Sequence, residues 1–214
     1  QFWFGWCYFM SKPNLIVIGA GGHAHACIDV IEQSDQYTIS GLVGLPEEMH
    51  TQHLGYSVIA TDTDLEQLAK EYQFAFIAIG QILSAKNRIH LYQYVKGLGF
   101  QLPSIISPSA YVSRHAIVGS GTIIMHEAII NAGVEVGANC IINTRSLIEH
   151  DTIVEDNCHI STGAILNGDV KVCAGSFIGS GSIIKESVII GSNSLIGMGL
   201  TVRHNQVDHC RYIG

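Results

Sequence analysis

The second half of the sequence places an aliphatic residue at every sixth position. Counted in sixes from Val112, sixteen consecutive positions hold Ile, Val or Leu, whereas chance would place one there about one time in four or five. Two positions earlier the residue is usually small, such as Ala, Ser, Thr or Cys. The period therefore predicts a repeat architecture. The positions are Val112, Val118, Ile124, Ile130, Val136, Ile142, Ile148, Val154, Ile160, Leu166, Val172, Ile178, Ile184, Ile190, Ile196 and Val202.

A six-residue period predicts a triangular prism of short parallel strands. Each hexad supplies one strand and one turn, and three hexads close a coil whose aliphatic side chains point inward. Sixteen hexads make just over five coils, which stack to about 25 Å at the spacing of β-strands. Residues eighteen apart lie in register in neighbouring coils. This places His150 beside Gly168, and Asn143 beside Ser161.

The first half of the chain alternates strand-like apolar runs with helical stretches. The predicted strands are residues 14–19, 37–44 and 73–80, and the predicted helices are residues 23–33, 62–72 and 84–99. This βαβ alternation predicts a parallel sheet with helices on its faces, a small Rossmann-like domain. We therefore expect an α/β domain over residues 11–107 and an all-β domain over residues 108–214.

A glycine-rich turn, GAGGHA at residues 19–24, joins the first predicted strand to the first predicted helix. Glycine lets the backbone approach a phosphate, and a helix N-terminus attracts an anion. An NAD site also needs an acid at the end of the second strand, but the chain has Val43 and Gly44 there, with Glu47 and Glu48 beyond. The turn favours another nucleotide diphosphate; a tight turn without ligand is the alternative.

Composition excludes several functional classes. The formal charge is −7 with only 11 Lys and Arg, so the basic footprint of a nucleic-acid binder is missing. The six cysteines contain no C-x-x-C pair, which argues against a zinc knuckle and predicts a reducing, cytoplasmic location. Residues 1–10 are aromatic but too short to span a bilayer. We interpret them as a leader or a segment added for expression, with a membrane or oligomer contact as the alternative.

Four polar residues in the middle of the repeat are not explained by its period. We call the sixteen aliphatic positions counted from Val112 the aliphatic frame. Four polar residues lie outside it, and we expect them on the outer surface of the prism: Asn143, His150, Asp151 and His159. A neighbouring carboxylate, Asp151 or Glu149, would raise the basicity of the His150 imidazole if it reaches the ring. A histidine on such a surface is by default an ordinary solvated residue.

The GAGGHA turn, the hexads and the stretch INTRSLIEHDTIVEDNCHIS at residues 142–161 make the chain resemble a family of sugar acyltransferases. These are the UDP-N-acetylbacillosamine N-acetyltransferases and the related sialic-acid O-acetyltransferase-type enzymes of the hexapeptide-repeat superfamily. The resemblance covers residues 14–214. It implies a left-handed parallel β-helix, acetyl-CoA as co-substrate, no metal, and a homotrimer with active sites between subunits.

The resemblance also implies roles for individual residues. His150 would be the general base and Asp151 would tune it, although relatives commonly have Glu at the latter position. Asn143 would help arrange the site, and the Gly168 amide would stabilise an oxyanion. Acetyl-CoA would contact His159, Gly168, Ser180 and Met198. The substrate diphosphate would lie on Gly21, Gly22 and His23, with Gly80 close to the nucleotide.

The implied reaction is acetyl transfer from acetyl-CoA to the 4-amino group of a UDP-linked amino-dideoxy sugar. Two alternatives stay open: an O-acetyltransferase acting on sialic acid or another sugar hydroxyl, and a non-catalytic scaffold that binds a nucleotide sugar. A carbonic anhydrase built on this β-helix needs three zinc-binding histidines, and the spacing of His115, His126, His150 and His159 does not fit. We do not expect an acyl-cysteine at Cys158, which occupies a packed corner of the repeat.

Overall fold

The N-terminal domain is a five-stranded sheet flanked by helices. The structure is a computed structural model that describes residues 11–214, so the prediction about residues 1–10 lies outside the described residues. The strand order is β3-β4-β2-β1-β5, parallel except for the β3–β4 hairpin. The elements are β1 (Asn14–Ile18), α1 (Gly22–Ser34), β2 (Thr38–Gly44), β3 (Gln52–His53), β4 (Tyr56–Thr61), α2 (Leu65–Glu71), β5 (Phe74–Ile77) and α3 (Lys86–Gly97).

The predicted strands and helices of this domain are confirmed, with ends displaced by a few residues. The predicted helix 62–72 begins as a 3₁₀ turn over Asp62–Asp64, because the Asp64 carboxylate accepts the Thr61 N–H at 2.8 Å and closes the turn. The β3–β4 hairpin was not predicted. The connection from β2 to its parallel neighbour β4 runs through this hairpin and a 3₁₀ turn, not through an α-helix, so the expected βαβ alternation fails there.

The C-terminal domain is a prism of two-residue strands. Three parallel sheets form its faces: sheet I (β23-β21-β18-β15-β12-β9-β6), sheet II (β22-β19-β16-β13-β10-β7) and sheet III (β20-β17-β14-β11-β8). The strands are β6 (Ile105–Ile106), β7 (Tyr111–Val112), β8 (Ile117–Val118), β9 (Ile123–Ile124), β10 (Ile129–Ile130), β11 (Glu135–Val136), β12 (Ile141–Ile142), β13 (Leu147–Ile148), β14 (Ile153–Val154), β15 (His159–Ile160), β16 (Ile165–Leu166), β17 (Lys171–Val172), β18 (Phe177–Ile178), β19 (Ile183–Ile184), β20 (Ile189–Ile190), β21 (Leu195–Ile196), β22 (Thr201–Val202) and β23 (Arg211–Tyr212).

The repeat predicted from the sequence is confirmed as a left-handed parallel β-helix. Strands eighteen residues apart pair in register, as Ile130 does with Ile148. The frame residues from Ile124 to Val202 are all buried and form one continuous core, against which Val112 and Val118 pack. The spacing continues one step before Val112, at Ile106.

The corners of the prism repeat one backbone conformation. Every sixth residue from Gly121 to Gly199 has a positive φ, whether it is glycine or not. Asp151 is one of these residues, with φ 61°. Asn and Asp tolerate this left-handed conformation better than most side chains. The turn brings the strand around the corner and directs the preceding side chain, here His150, outward.

The two domains share an apolar interface on sheet I. Ile105, Ile123 and Ile141 point outward from this sheet and are fully buried in one cluster with Val17 and Ile28 of the N-terminal domain. This burial fixes α1 and the turn that precedes it against the prism. No helix among residues 11–214 is both long and apolar enough to cross a membrane.

Candidate active site

His150 and Asp151 form a hydrogen-bonded pair at the corner between sheets II and III. The His150 Nδ1 atom lies 2.9 Å from Asp151 Oδ2. A carboxylate only accepts, so Nδ1 carries the proton and the Nε2 lone pair is free to accept another. The hydrogen bond to Asp151 raises the pKa of His150 above its usual value. Of the two candidate carboxylates, Asp151 reaches the ring, whereas Glu149 accepts a hydrogen bond from Asn131 at 2.8 Å.

Gly168 lies directly beneath the His150 ring. A Cβ atom at position 168 would stand 2.8 Å from both His150 Cε1 and Nε2, closer than side chains approach one another. The absence of a side chain is therefore what lets the imidazole lie over this backbone. The Gly168 N–H has no backbone acceptor within residues 11–214, which leaves it able to donate to a ligand. The register predicted from the repeat is confirmed.

His159 is the predicted residue whose surroundings differ most from expectation. Its side chain points outward from sheet I, but it is only 6% exposed, because the loop after β5 covers it. His159 therefore lies on the outer face of the prism as expected, but the N-terminal domain covers it, which the sequence did not predict. Nδ1 lies 2.6 Å from the Gln81 carbonyl oxygen, and the ring stands edge-on to Phe177 with centroids 5.1 Å apart. Burial lowers the pKa of His159 to about 4, so the ring is neutral near pH 7.

The tautomer of His159 follows from these contacts. A carbonyl oxygen only accepts, so Nδ1 donates to Gln81 and Nε2 is an acceptor. The Asn143 side-chain amide donates to Nε2 at 3.2 Å, while the Asn143 Oδ1 atom accepts the Thr144 N–H at 2.8 Å. Asn143 is thus held in one orientation. It lies with His159, not with His150.

Ser180 and Met198 stack on the corner between sheets I and II, as the repeat predicts. The Gly199 N–H donates to the Ser180 carbonyl at 2.8 Å, which joins the two coils. The Ser180 hydroxyl lies 2.8 Å from that of Ser161, and Met198 is 79% exposed. The predicted residues therefore fall on two edges of the prism, with sheet II between them: an edge with Asn143, His159, Ser180 and Met198, and an edge with His150, Asp151 and Gly168.

The glycine turn opens into a cavity of the N-terminal domain. Gly21 caps the N-terminus of α1, and Gly22 is its first residue. The cavity has a volume of about 460 Å³ and meets the turn at Gly19, Ala20 and Gly21. Its walls also hold polar side chains that sequence reasoning did not assign to a site: Glu48, Asp62, Asn87 and His90. Of these, the sequence pointed only to Glu48. Glu48 follows β2 and Asp62 follows β4, and this position after a strand is the signal from which both could have been predicted.

His23 and Gly80 lie beside this cavity and do not line it. A Cβ atom on Gly80 would lie 3.5 Å from the His23 Cβ. The His23 Nε2 atom is 3.4 Å from the Cys27 sulfur, and the ring centroid is 6.5 Å from that of His159. Burial lowers the pKa of His23 to about 3. Gly21, Gly22, His23 and Gly80 therefore occupy one region, at the boundary between the cavity and the prism.

The described residues offer neither a metal site nor a reactive cysteine at position 158. Among the described residues, no three His, Cys, Asp or Glu side chains are placed to hold one metal ion. The Cys158 sulfur is buried and lies 3.2 Å from the Cys173 carbonyl oxygen. Burial raises the pKa of the Cys158 thiol well above its ordinary value, which fits the predicted packing role and not a nucleophile.

Both halves of the chain match known families. The family described as PglD N-terminal domain matches residues 14–95, and the family described as hexapeptide repeat of succinyl-transferase matches residues 169–203. A search of curated proteins found no match.

Several solved structures share the whole architecture. A histidine-to-asparagine mutant of perosamine N-acetyltransferase from Caulobacter crescentus, in complex with CoA and GDP-perosamine, has a TM-score of 0.87 and 29% identity, over 93% of this chain and 92% of that one. The acetyltransferase domain of PglB from Neisseria gonorrhoeae FA1090, in complex with acetyl coenzyme A, has a TM-score of 0.85 and 30% identity, over 92% and 94%. WeeI from Acinetobacter baumannii AYE shares the fold at a TM-score of 0.81 and 20% identity, over 92% and 95%.

An α/β domain joined to hexapeptide coils defines a class, the hexapeptide-repeat acyltransferases. Within that class, the chain belongs to the sugar acetyltransferase family that carries a PglD-type N-terminal domain. The family and the acyltransferase class predicted from the sequence are confirmed. The acceptor sugar and the roles of single residues stay predictions.

Proposed function

We propose that the protein transfers the acetyl group of acetyl-CoA to an amino group of a nucleotide-linked amino sugar, with His150 as general base. The observation that carries this proposal is the His150–Asp151 pair over the bare backbone of Gly168. A base with a free lone pair and a free amide lie side by side, as acyl transfer to an amine requires. The cytoplasmic location predicted from the sequence is part of this proposal.

The chemistry is a direct transfer. The sugar amine attacks the thioester carbonyl carbon while His150 Nε2 takes one amine proton. The negative charge that develops on the carbonyl oxygen is stabilised by the Gly168 N–H. The C–S bond then breaks, the amide forms, and the thiolate of CoA takes up a proton. A general base contributes about 10²–10⁴-fold and an oxyanion donor about 10²–10³-fold.

The separation of the two edges supports an active site shared between subunits. Sheet II lies between them, and its outward column is apolar up to the last strand, where it ends in Thr201: Tyr111, Ile129, Leu147, Ile165 and Ile183. Tyr111 is 59% exposed and Ile129 is 41% exposed in a single chain. We propose that this face packs on a neighbouring copy in a homotrimer, which brings the His150 edge of one subunit to the His159 edge of the next.

Subunit mixing tests this arrangement. His150→Ala and Ser180→Trp damage different edges, so each variant alone should be inactive. Random mixed trimers of the two would contain intact sites, at about one quarter of the wild-type number, if the edges come from different subunits. No recovery of activity on mixing would contradict the shared site.

The acceptor we propose is the 4-amino group of a UDP-linked amino-dideoxy sugar. This follows from the family resemblance of the sequence, together with the match to a PglD N-terminal domain. A GDP-linked amino sugar is a second candidate, because the perosamine N-acetyltransferase that resembles this chain was crystallised with GDP-perosamine. O-acetylation of a sugar hydroxyl and non-catalytic nucleotide-sugar binding remain the competing functions.

A thiol-release assay separates these functions. Acetyl-CoA is supplied with UDP-4-amino-4,6-dideoxy-N-acetylglucosamine, GDP-perosamine or free sialic acid, and the acetylated product is checked by mass spectrometry. We expect turnover with an amino sugar. Turnover only with hydroxyl acceptors would replace the proposal by O-acetylation.

The role of His150 is tested in the same assay. His150→Ala should lower kcat at least 10²-fold while sugar-nucleotide binding is retained. His115→Ala is the matched control, since His115 is also an exposed prism histidine, on the first coil. Sugar-nucleotide binding without any turnover, in wild type and variant alike, would support the scaffold. Unchanged turnover in His150→Ala would refute the base assignment.

A further inference from the structure

Arg88 is an unusual residue of the domain interface. It is the one Lys, Arg, Asp or Glu side chain that is buried within residues 11–214, at 1% exposed. Nη1 donates to the Ile79 carbonyl at 3.1 Å, and Nε donates to the Asn139 carbonyl of the prism at 3.4 Å. The Nη2 group has no partner in the described part of the chain, and no carboxylate there pairs with the guanidinium. Burial of an unpaired charge is costly.

Arg88 is also the charged member of a group of basic side chains. His23 and His159 lie close enough for the Arg88 charge to lower the pKa of each, in addition to the larger effect of burial. With pKa values of about 3 and about 4, both histidines are neutral near pH 7. Burial lowers the pKa of Arg88 only to about 10, so the guanidinium stays protonated.

The wall of the neighbouring cavity is acidic, and His90 is its one basic side chain within the described residues. Its lining contains the carboxylates of Glu48 and Asp62, and within the described residues no Lys or Arg. A nucleoside diphosphate carries at least two negative charges, which these carboxylates repel. The amides of the glycine turn and the N-terminus of α1 supply only partial positive charge. Ile79, whose carbonyl Arg88 holds, is itself part of the cavity wall.

We propose that Arg88 is the fixed cation of the diphosphate subsite: its buried charge, held at the Ile79 carbonyl of the cavity wall, attracts the anion that the backbone of Gly21, Gly22 and His23 binds. The inference rests on the proposed function, because it takes a sugar nucleotide as the ligand. A charge inside the protein acts on a nearby anion with little screening by water or salt. The chain thereby binds an anion in an acidic cavity without exposing a basic side chain.

The test compares ligands with and without the diphosphate. Isothermal titration measures UDP and GDP against uridine and guanosine, on wild type, Arg88→Met, Arg88→Gln and Arg88→Lys. Lys86→Met is the matched control, because Lys86 is an exposed cation on the same helix. We expect the ratio of diphosphate to nucleoside affinity to fall about 10- to 100-fold in the Met and Gln variants. It should stay within about threefold in Arg88→Lys and Lys86→Met, at low and at high salt.

Each outcome decides between charge and packing. If nucleoside and diphosphate affinities fall together, Arg88 only supports the fold of the cavity and the proposal is overturned. An unchanged ratio in both Arg88→Met and Arg88→Gln overturns it as well. Melting temperatures identify a variant that fails to fold, and the second neutral variant then decides. A wild-type protein that binds neither diphosphate would instead refute the proposed function.

Discussion

Replacing Gly168 by alanine should slow catalysis while leaving the fold intact. The added Cβ would stand 2.8 Å from His150 Cε1 and Nε2. The ring must retreat by about 0.6 Å to reach an ordinary van der Waals distance. His150 is an exposed side chain and can move at little cost in stability. Its Nε2 atom, however, leaves the position from which it takes a proton.

The size of the effect follows from the sensitivity of catalysis to distance. A misplacement of about 1 Å costs on the order of 10²-fold in rate, so the smaller shift should lower kcat about 10- to 100-fold. The melting temperature should change by no more than about 2 °C, because nothing in the core is altered. The assay is thiol release from acetyl-CoA with the preferred amino sugar.

A double-mutant cycle tests the reasoning behind this prediction. In a His150→Ala background there is no ring to displace, so Gly168→Ala should cause little further loss. An equal loss in both backgrounds would refute the steric argument and place the effect in the Gly168 amide. Wild-type kcat in the single variant would refute it outright.

Three further predictions concern the Asp151–His150 hydrogen bond, the two buried histidines and the outer face of sheet II. Since Asp151 raises the pKa of His150, and the neutral ring is the active form, Asp151→Asn should move the acid limb of the kcat/KM profile to lower pH. Because burial lowers the pKa values of His23 and His159, unfolding takes up protons below about pH 6.5. The free energy of unfolding measured in urea should therefore fall by about 2 kcal/mol per histidine by pH 5. A constant free energy of unfolding over this range would contradict the burial of the two rings. Ile165→Lys on sheet II should dissociate the oligomer, seen as a lower mass in light scattering, while the circular dichroism spectrum stays unchanged. An unchanged mass would exclude this face as the subunit interface.

Much of the fold is visible in the sequence because its interactions are periodic. The aliphatic frame recurs every six residues, so inward burial and register follow from counting, and His150 was placed beside Gly168 in that way. In the β3–β4 hairpin, the six-residue strand β4 was missed, and β3 (Gln52–His53) is only two residues long. A strand so short has no alternation for a pattern to reveal.

The candidate site likewise has features that the sequence reveals and features that only the structure shows. Asp151 pairs with His150 because of the corner turn, and Glu149 does not because it binds Asn131 instead. Both carboxylates are sequence neighbours of His150, so the sequence could not distinguish them. The cavity residues Glu48 and Asp62 follow different strands, and only the order of the sheet brings them to one wall. Contacts of this kind join distant parts of the chain.

The sequence by itself determined the prism and its register, and so the position of His150 beside Gly168, because each depends on residues six or eighteen apart. The tertiary structure alone decided what the N-terminal domain does to the prism. It buries His159 under Gln81 and so selects a neutral tautomer, and it encloses Arg88 without a counter-ion. Burial changes solvation, and solvation sets the charge that each group carries. No local pattern encodes which residues two domains will cover when they pack.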